Sequence, residues 1–242
     1  MSVIKLHNKD VLNFLFSIED NSVDLVITSP PYNKNGFRGR RDTSKGKGRW
    51  QNSDIMYDTY NDDMPEDEYQ VWQIQILDEL YRIIKPSGSI LYNHKERRAN
   101  NEVIHPLSWC LKSKAKYWQE IIWNRLSGVD HNINYLCPIN EIILWFVKDN
   151  PKVFKHGDDT TIWDIPPKPE AKHPAPFARR LVQKSVLMCT EKNDVVLDPF
   201  MGIGTVGKVC KRLDRNFIGN DISKKYYDLA HGSIFQEQGE LF

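Results

Sequence analysis

Val195-Val-Leu-Asp-Pro-Phe-Met-Gly-Ile-Gly-Thr205 reads as a short buried strand, a glycine turn and the start of a helix that runs to Leu213. Gly202 and Gly204 let the backbone take positive φ and pass close to a ligand. In an open α/β sheet, such a strand end, turn and helix N-terminus line the crevice that holds nucleotides. Asp198 argues against a phosphate cradle, because a carboxylate at the strand end repels a pyrophosphate and suits a cationic ligand. No Gly-Lys-Ser/Thr is present, which removes the P-loop reading. The next strand, Asn216-Phe-Ile-Gly-Asn-Asp221, ends in a second acid, where a carboxylate can accept from both ribose hydroxyls. The glycines alone fit an ordinary strand–helix turn equally well. Asp198 and Asp221 tip the reading toward a ligand site of Asp198, Pro199, Phe200, Gly202, Gly204, Thr205 and Asp221. Asp10 closes a third strand, Val3 to His7, and either faces the same ligand or serves only as a cap.

Upstream, Val23-Asp-Leu-Val-Ile-Thr28 reads as a buried strand that two prolines stop at Ser29-Pro30-Pro31-Tyr32. Residues 33 to 62 lack periodicity. Tyr69, Trp72, Ile76, Leu80 and Ile83 then mark one helical face, which Lys85-Pro-Ser-Gly88 ends before a strand over Ser89–Asn93. A helix over Ile104–Lys112 and strands over Tyr117–Trp123 and Glu141–Lys148 follow. Asp158 to Pro176 is a proline-rich crossing segment, and helices are expected over Phe177–Cys189 and from Ser223 to His231. Strands alternating with helices give a doubly wound, mostly parallel α/β sheet. Trp72, Trp109 and Trp145 read as core.

With 242 residues, 40% of them hydrophobic, the chain can bury one substantial core, and a single domain over 1–242 is expected. The net charge of +1 means that any affinity for nucleic acid must come from a local patch. Such a patch exists: Lys34, Arg38, Arg40, Arg41, Lys45, Lys47 and Arg49 are interleaved with glycines right after the Ser-Pro-Pro-Tyr turn. A basic, flexible loop there can grip phosphates, or simply be solvated. No apolar run approaches a membrane span, and no secretory signal opens the chain. Cys110, Cys137, Cys189 and Cys210 are widely spaced, which argues against a disulfide framework and against a bound metal. A reduced, cytoplasmic protein follows.

Taken together, these motifs resemble the β-class DNA amino-methyltransferases, whose fold is a Rossmann-like S-adenosylmethionine-dependent methyltransferase domain. Thr28-Ser-Pro-Pro-Tyr-Asn33 looks like their catalytic motif IV, and Val196 to Thr205 like motif I, which binds S-adenosylmethionine. Phe217 to Tyr226 is similar to motif II, Asn8-Lys-Asp10 to motif III, and His173-Pro-Ala-Pro-Phe177 to the start of motif X. Motif IV precedes motif I, the circularly permuted order of the β class. Ile203 stands where serine is usual, Asn220 where many relatives carry an apolar residue or glycine, and Phe177-Ala178 where Lys-Pro is frequent.

The resemblance implies methyl transfer from S-adenosylmethionine to the exocyclic amino nitrogen of a base flipped out of double-stranded DNA. Ser29 and the Pro30 carbonyl would grip the amino hydrogens, Pro31 adds no competing N–H, and Tyr32 offers a face for stacking worth about 1–3 kcal/mol. Serine at the head of motif IV is typical of cytosine-N4 enzymes and aspartate of adenine-N6 enzymes, so cytosine-N4 is favoured, with adenine-N6 as the alternative. Cytosine-C5 chemistry is rejected, because Cys137-Pro138 has the wrong order and context. The family places target recognition at about 124–170, which includes Asn124-Arg125 and Asp130-His131-Asn132. Lys95, after Asn93-His94 beside the presumed cleft, either touches DNA or the base or is an ordinary surface lysine, with the second reading favoured. The expected partner is duplex DNA, with the enzyme a monomer or homodimer; a cognate restriction endonuclease is a further candidate that the sequence leaves open. RNA or protein-amide methylation and a non-catalytic DNA-binding relative are the other readings. The permuted motif order disfavours the first, and the intact motifs disfavour the second.

Overall fold

The computed structural model describes residues 2–33, 64–99, 102–128, 133–154, 159–167 and 177–235. These run β1 (Ile4–His7), α1 (Val11–Phe16), β2 (Val23–Thr28), α2 (Glu66–Ile83), β3 (Ile84–His94), β4 (Arg97–Ala99), β5 (Glu102–Ile104), α3 (Leu107–Cys110), β6 (Lys116–Asn124), β7 (Asn140–Val147), β8 (Ile162–Asp164), α4 (Arg179–Cys189), β9 (Val195–Asp198), α5 (Thr205–Arg212), β10 (Asn216–Asn220) and α6 (Lys224–Phe235). One sheet has the order β1-β10-β9-β2-β3-β7-β6-β8, and β4 and β5 form a separate hairpin. Within the large sheet only β7 runs against the other strands. The expected doubly wound, mostly parallel sheet is therefore present.

The strands read as apolar runs because both faces are covered. In β2, Leu25 and Ile27 pack with α4, α5 and α6, while Val26 packs on the other side with α1, α2 and α3. In β7, Ile143, Trp145 and Val147 join the first layer and Ile142, Leu144 and Phe146 the second. The α2 stripe of Tyr69, Gln73, Ile76, Leu77, Leu80 and Ile83 is the buried face that the 3.6-residue period requires. Trp109 and Trp145 lie in the core, and Trp72 packs against it partly buried.

Four local expectations are corrected. Asp10 lies beyond β1, which ends at His7, and takes the cap role that the sequence allowed, opening α1, a helix the sequence reading lacked, by accepting from the Leu12 and Asn13 amides. Lys85-Pro-Ser-Gly88 does not precede the strand but bulges out of β3, since Ile84 pairs with Val23 and Ser89 with Leu25. The bulge finds partners elsewhere: Lys85 reaches the buried Asp24 at 2.8 Å, and the amides of Asp149 and Lys152 donate to the Pro86 and Ser87 carbonyls. The helix over Ile104–Lys112 shrinks to α3, because Pro106 fixes its start and i+3 bonds tighten its end. The crossing segment contributes β8, which extends the sheet beside β6.

Candidate active site

Parallel strands in one sheet place their carboxyl ends along one edge, and β7, running the other way, brings its first residues to that edge. The edge therefore gathers Thr28 and the Ser-Pro-Pro-Tyr turn from β2, Asn93 and His94 from β3, Arg125 beyond β6, Glu141 from β7, Asp198 from β9 and Asp221 beyond β10. Two adjoining groups result.

The first surrounds the glycine turn. Gly202 and Gly204 both have positive φ, 50° and 80°. A Cβ on Gly204 would lie 3.0 Å from the Ala230 Cβ, so the close approach that demands glycine there is to α6. Asp221 accepts from the Gly202 amide at 3.0 Å and from the Ser223 amide at 2.9 Å, tying the turn to the end of β10. Asn220 is 1% exposed and staples this region: its side chain accepts from Lys9 N and donates to the Lys9 carbonyl. An apolar residue could not make these bonds, which accounts for the asparagine. Asp10 stands at the end of the same loop, exposed, with its Oδ1 engaged as the cap.

Asp198 is 1% exposed. Its Oδ1 accepts from Thr28 Oγ1 at 2.9 Å and from the Phe200 amide at 3.1 Å. Burial pushes its carboxyl up to about 7, and the nearby Asp221 adds to the shift, while the two hydrogen bonds oppose it. Among the described residues no basic side chain contacts it. A buried carboxylate without a cation is electrostatically incomplete, and an ammonium group would complete it.

The second group surrounds Ser29 and Tyr32. The Ser29 and Tyr32 hydroxyls are 2.7 Å apart. The Asn93 amide donates to the Tyr32 hydroxyl and to Glu141 Oε2, each at 2.8 Å, and the Tyr32 hydroxyl reaches the same Oε2 at 3.3 Å. On Oε1, Glu141 meets Lys95 at 3.0 Å and Arg125 at 3.3 Å. Burial works against the ionised Glu141, but Lys95, the Asn93 amide and Arg125 outweigh it and hold the acid below the usual carboxylate range. The Pro31 carbonyl accepts from the Tyr69 hydroxyl at 2.8 Å, and among the described residues no donor reaches the Pro30 carbonyl. Tyr32 is 8% exposed, with its ring tilted 44° against His94.

Thr28 joins the two groups, since its side chain bonds Asp198 while its own chain leads into Ser29. Of the candidates, the structure brings Ser29 to Tyr32 and Asp198 to Asp221 together on one edge. Lys34, Arg38, Arg40, Arg41, Lys45, Lys47 and Arg49 lie outside the described residues, as do Asp130-His131-Asn132 and the His173–Pro176 start of motif X. Sequence reasoning placed Thr28 in motif IV and Tyr69 on a helical face without giving either a site role, gave Glu141 none, and favoured Lys95 as a surface residue. The only signal for Glu141 was an acid at the mouth of an otherwise apolar strand. Asn124 turns to Asp164 at 2.7 Å.

A sequence model of the DNA methylase family that covers the N6 and N4 enzymes matches residues 23–232. The chain belongs to this N6/N4 DNA methylase family. It is accordingly an S-adenosylmethionine-dependent DNA amino-methyltransferase. The type II methyltransferase M.BglII of Bacillus subtilis is 30% identical over 98% of this chain and 70% of its own length. M.HpaI of Haemophilus parainfluenzae is 28% identical over 94% of this chain and 73% of its own length. Among solved structures, the cytosine-N4-specific PvuII DNA methyltransferase has a TM-score of 0.77 at 18% identity, covering 99% of this chain and 89% of that one. The M1.HpyAVI complex with S-adenosylmethionine gives 0.64 at 21% identity, covering 96% and 100%. At these identities the structures establish a shared methyltransferase fold. Among the described residues no helix is long and apolar enough to cross a membrane.

Proposed function

We propose that this methylase modifies the N4 amino group of a cytosine flipped out of duplex DNA. The observation that supports methyl transfer at this turn, whichever the base, is the Thr28–Asp198 hydrogen bond, which sets the Ser-Pro-Pro-Tyr turn against the buried carboxylate. When bound, S-adenosylmethionine supplies an electrophilic methyl group on a sulfonium. Asp198 would hold the ammonium of that ligand, Asp221 its ribose hydroxyls, and Asp10 the adenine side. Pro199, Phe200, Gly202, Gly204 and Thr205 would form the wall between these contacts.

At the turn, Ser29 Oγ and the Pro30 carbonyl would accept the two amino hydrogens and draw the nitrogen toward tetrahedral geometry. So held, the nitrogen would present its lone pair to the methyl group that the bound cofactor would supply; S-adenosylhomocysteine would be the leaving product, and the displaced amino proton would pass to bulk water. The main contribution is positioning. Tyr32 would stack on the base, which requires its ring to be uncovered from its present 8% exposure. The basic residues between Lys34 and Arg49 would hold phosphates.

Ser29 supports cytosine because the turn itself carries a neutral acceptor. Glu141 supports the second reading, adenine-N6, because it returns a carboxylate to the neighbourhood where adenine enzymes carry aspartate. Digesting enzyme-treated duplex DNA to nucleosides and analysing them by mass spectrometry separates the two. N4-methylcytosine is expected, N6-methyladenine alone would transfer the assignment to adenine, and no methylated nucleoside from any duplex would overturn both.

A further inference from the structure

We infer that Glu141 is a positioning residue that forces the Ser29 hydroxyl to present lone pairs, rather than its hydrogen, to the base amino group. The inference rests on the amino-methylation reading above. A hydroxyl can donate or accept, and donation by Ser29 would waste one of the two grips that the amino hydrogens need. The network around Tyr32 removes that freedom.

An ionised carboxylate only accepts, with about two sites on each oxygen. All are used here: Lys95 and Arg125 on Oε1, Asn93 and Tyr32 on Oε2. The two Asn93 amide hydrogens go to Glu141 and to the Tyr32 oxygen, both at 2.8 Å. Tyr32 has one hydrogen, which the carboxylate takes, so its oxygen can only accept from its other neighbours. Ser29, 2.7 Å away, must then be the donor in the Ser29–Tyr32 bond. Its oxygen is then left to accept, and the Asn93 amide approaches it only at 3.4 Å. The same logic fixes the Asn93 amide and accounts for its buried Oδ1, which has no hydrogen-bond partner.

The test is a double-mutant cycle on the full chain, read by single-turnover methyl transfer to duplex DNA with [methyl-3H]-S-adenosylmethionine. Glu141→Gln keeps the shape but adds a donor, and Tyr32→Phe keeps the ring but cuts the relay. Each single variant is expected to lose at least tenfold in rate, with DNA and cofactor dissociation constants within twofold of wild type. The double variant is expected to be no slower than the slower single one, since both break the same chain. A wild-type rate in Glu141→Gln, or losses that multiply in the double variant, would overturn the inference. Should Glu141→Gln not fold by circular dichroism, Tyr32→Phe alone decides, and a wild-type rate in it refutes the relay. A wild-type enzyme that methylates no duplex DNA would instead overturn the functional reading on which the relay rests.

Discussion

Asp198 shows how a single residue can set a pH dependence. Its folded carboxyl titrates at about 7, against an ordinary value of 3.8, because burial disfavours the charge. Raising the pH from about 4 to 7 therefore charges a group that the empty fold would keep neutral, so this residue costs the unliganded protein stability over that window and no more above it. Binding an ammonium reverses the preference and drives the proton off. S-adenosylmethionine affinity should be greatest above pH 7 and weaken below it, by up to about tenfold per pH unit. Calorimetry at pH 6, 7 and 8 in buffers of different ionisation enthalpy should register proton release. Asp198→Asn should bind weakly at every pH with no such release; a wild-type pH profile in that variant would dismiss the ammonium contact.

Helix α2 acts on the site as an element. Its Tyr69 hydroxyl lies 2.8 Å from the Pro31 carbonyl and 2.8 Å from His94 Nε2, so the helix ties the turn to the end of β3. Arg97 lies over the Tyr69 ring at 4.4 Å and bonds Glu66 at the start of the same helix, which anchors that end of α2. Tyr69→Phe takes the hydroxyl donor from the Pro31 carbonyl, leaving it only the Gln73 amide at 3.5 Å, and takes from His94 Nε2 its hydroxyl partner, a loss of about 1–3 kcal/mol. The expected outcome is a lower denaturant midpoint with an unchanged m-value, together with a several-fold drop in kcat as Pro31 loosens. Retained kcat despite the stability loss would show that the turn keeps its shape without the helix.

If the proposed roles hold, the whole molecule couples ligand to fold, because the proposed cofactor contacts follow β1, β9 and β10 while the turn and its network come from β2, β3 and β7. S-adenosylmethionine at 100 times its dissociation constant should stabilise the protein by about 2.7 kcal/mol. For a chain of this size that is a rise of roughly 5–10 °C in melting temperature by scanning calorimetry. Asp198→Asn should show little of the rise at the same ligand concentration. The sequence by itself determined the alternation of strands and helices, the glycine turn with its two acids, and the Ser-Pro-Pro-Tyr turn. These are local: periodicity, prolines, glycines and strand-end acids act within a few residues of chain. It allowed Asp10 as a cap without showing α1 behind it, and it did not reveal that 85–88 bulges from β3, because the partners of that bulge, Asp24, Asp149 and Lys152, are distant in sequence. Nor could it reveal Glu141, whose neighbours Asn93, Tyr32, Lys95 and Arg125 are brought to it only when β7 enters the sheet against the direction of β3 and β6. The tertiary structure decided the site's charge balance, since burial and strand order, neither local in sequence, set which carboxylate stays ionised and which is pushed toward neutrality.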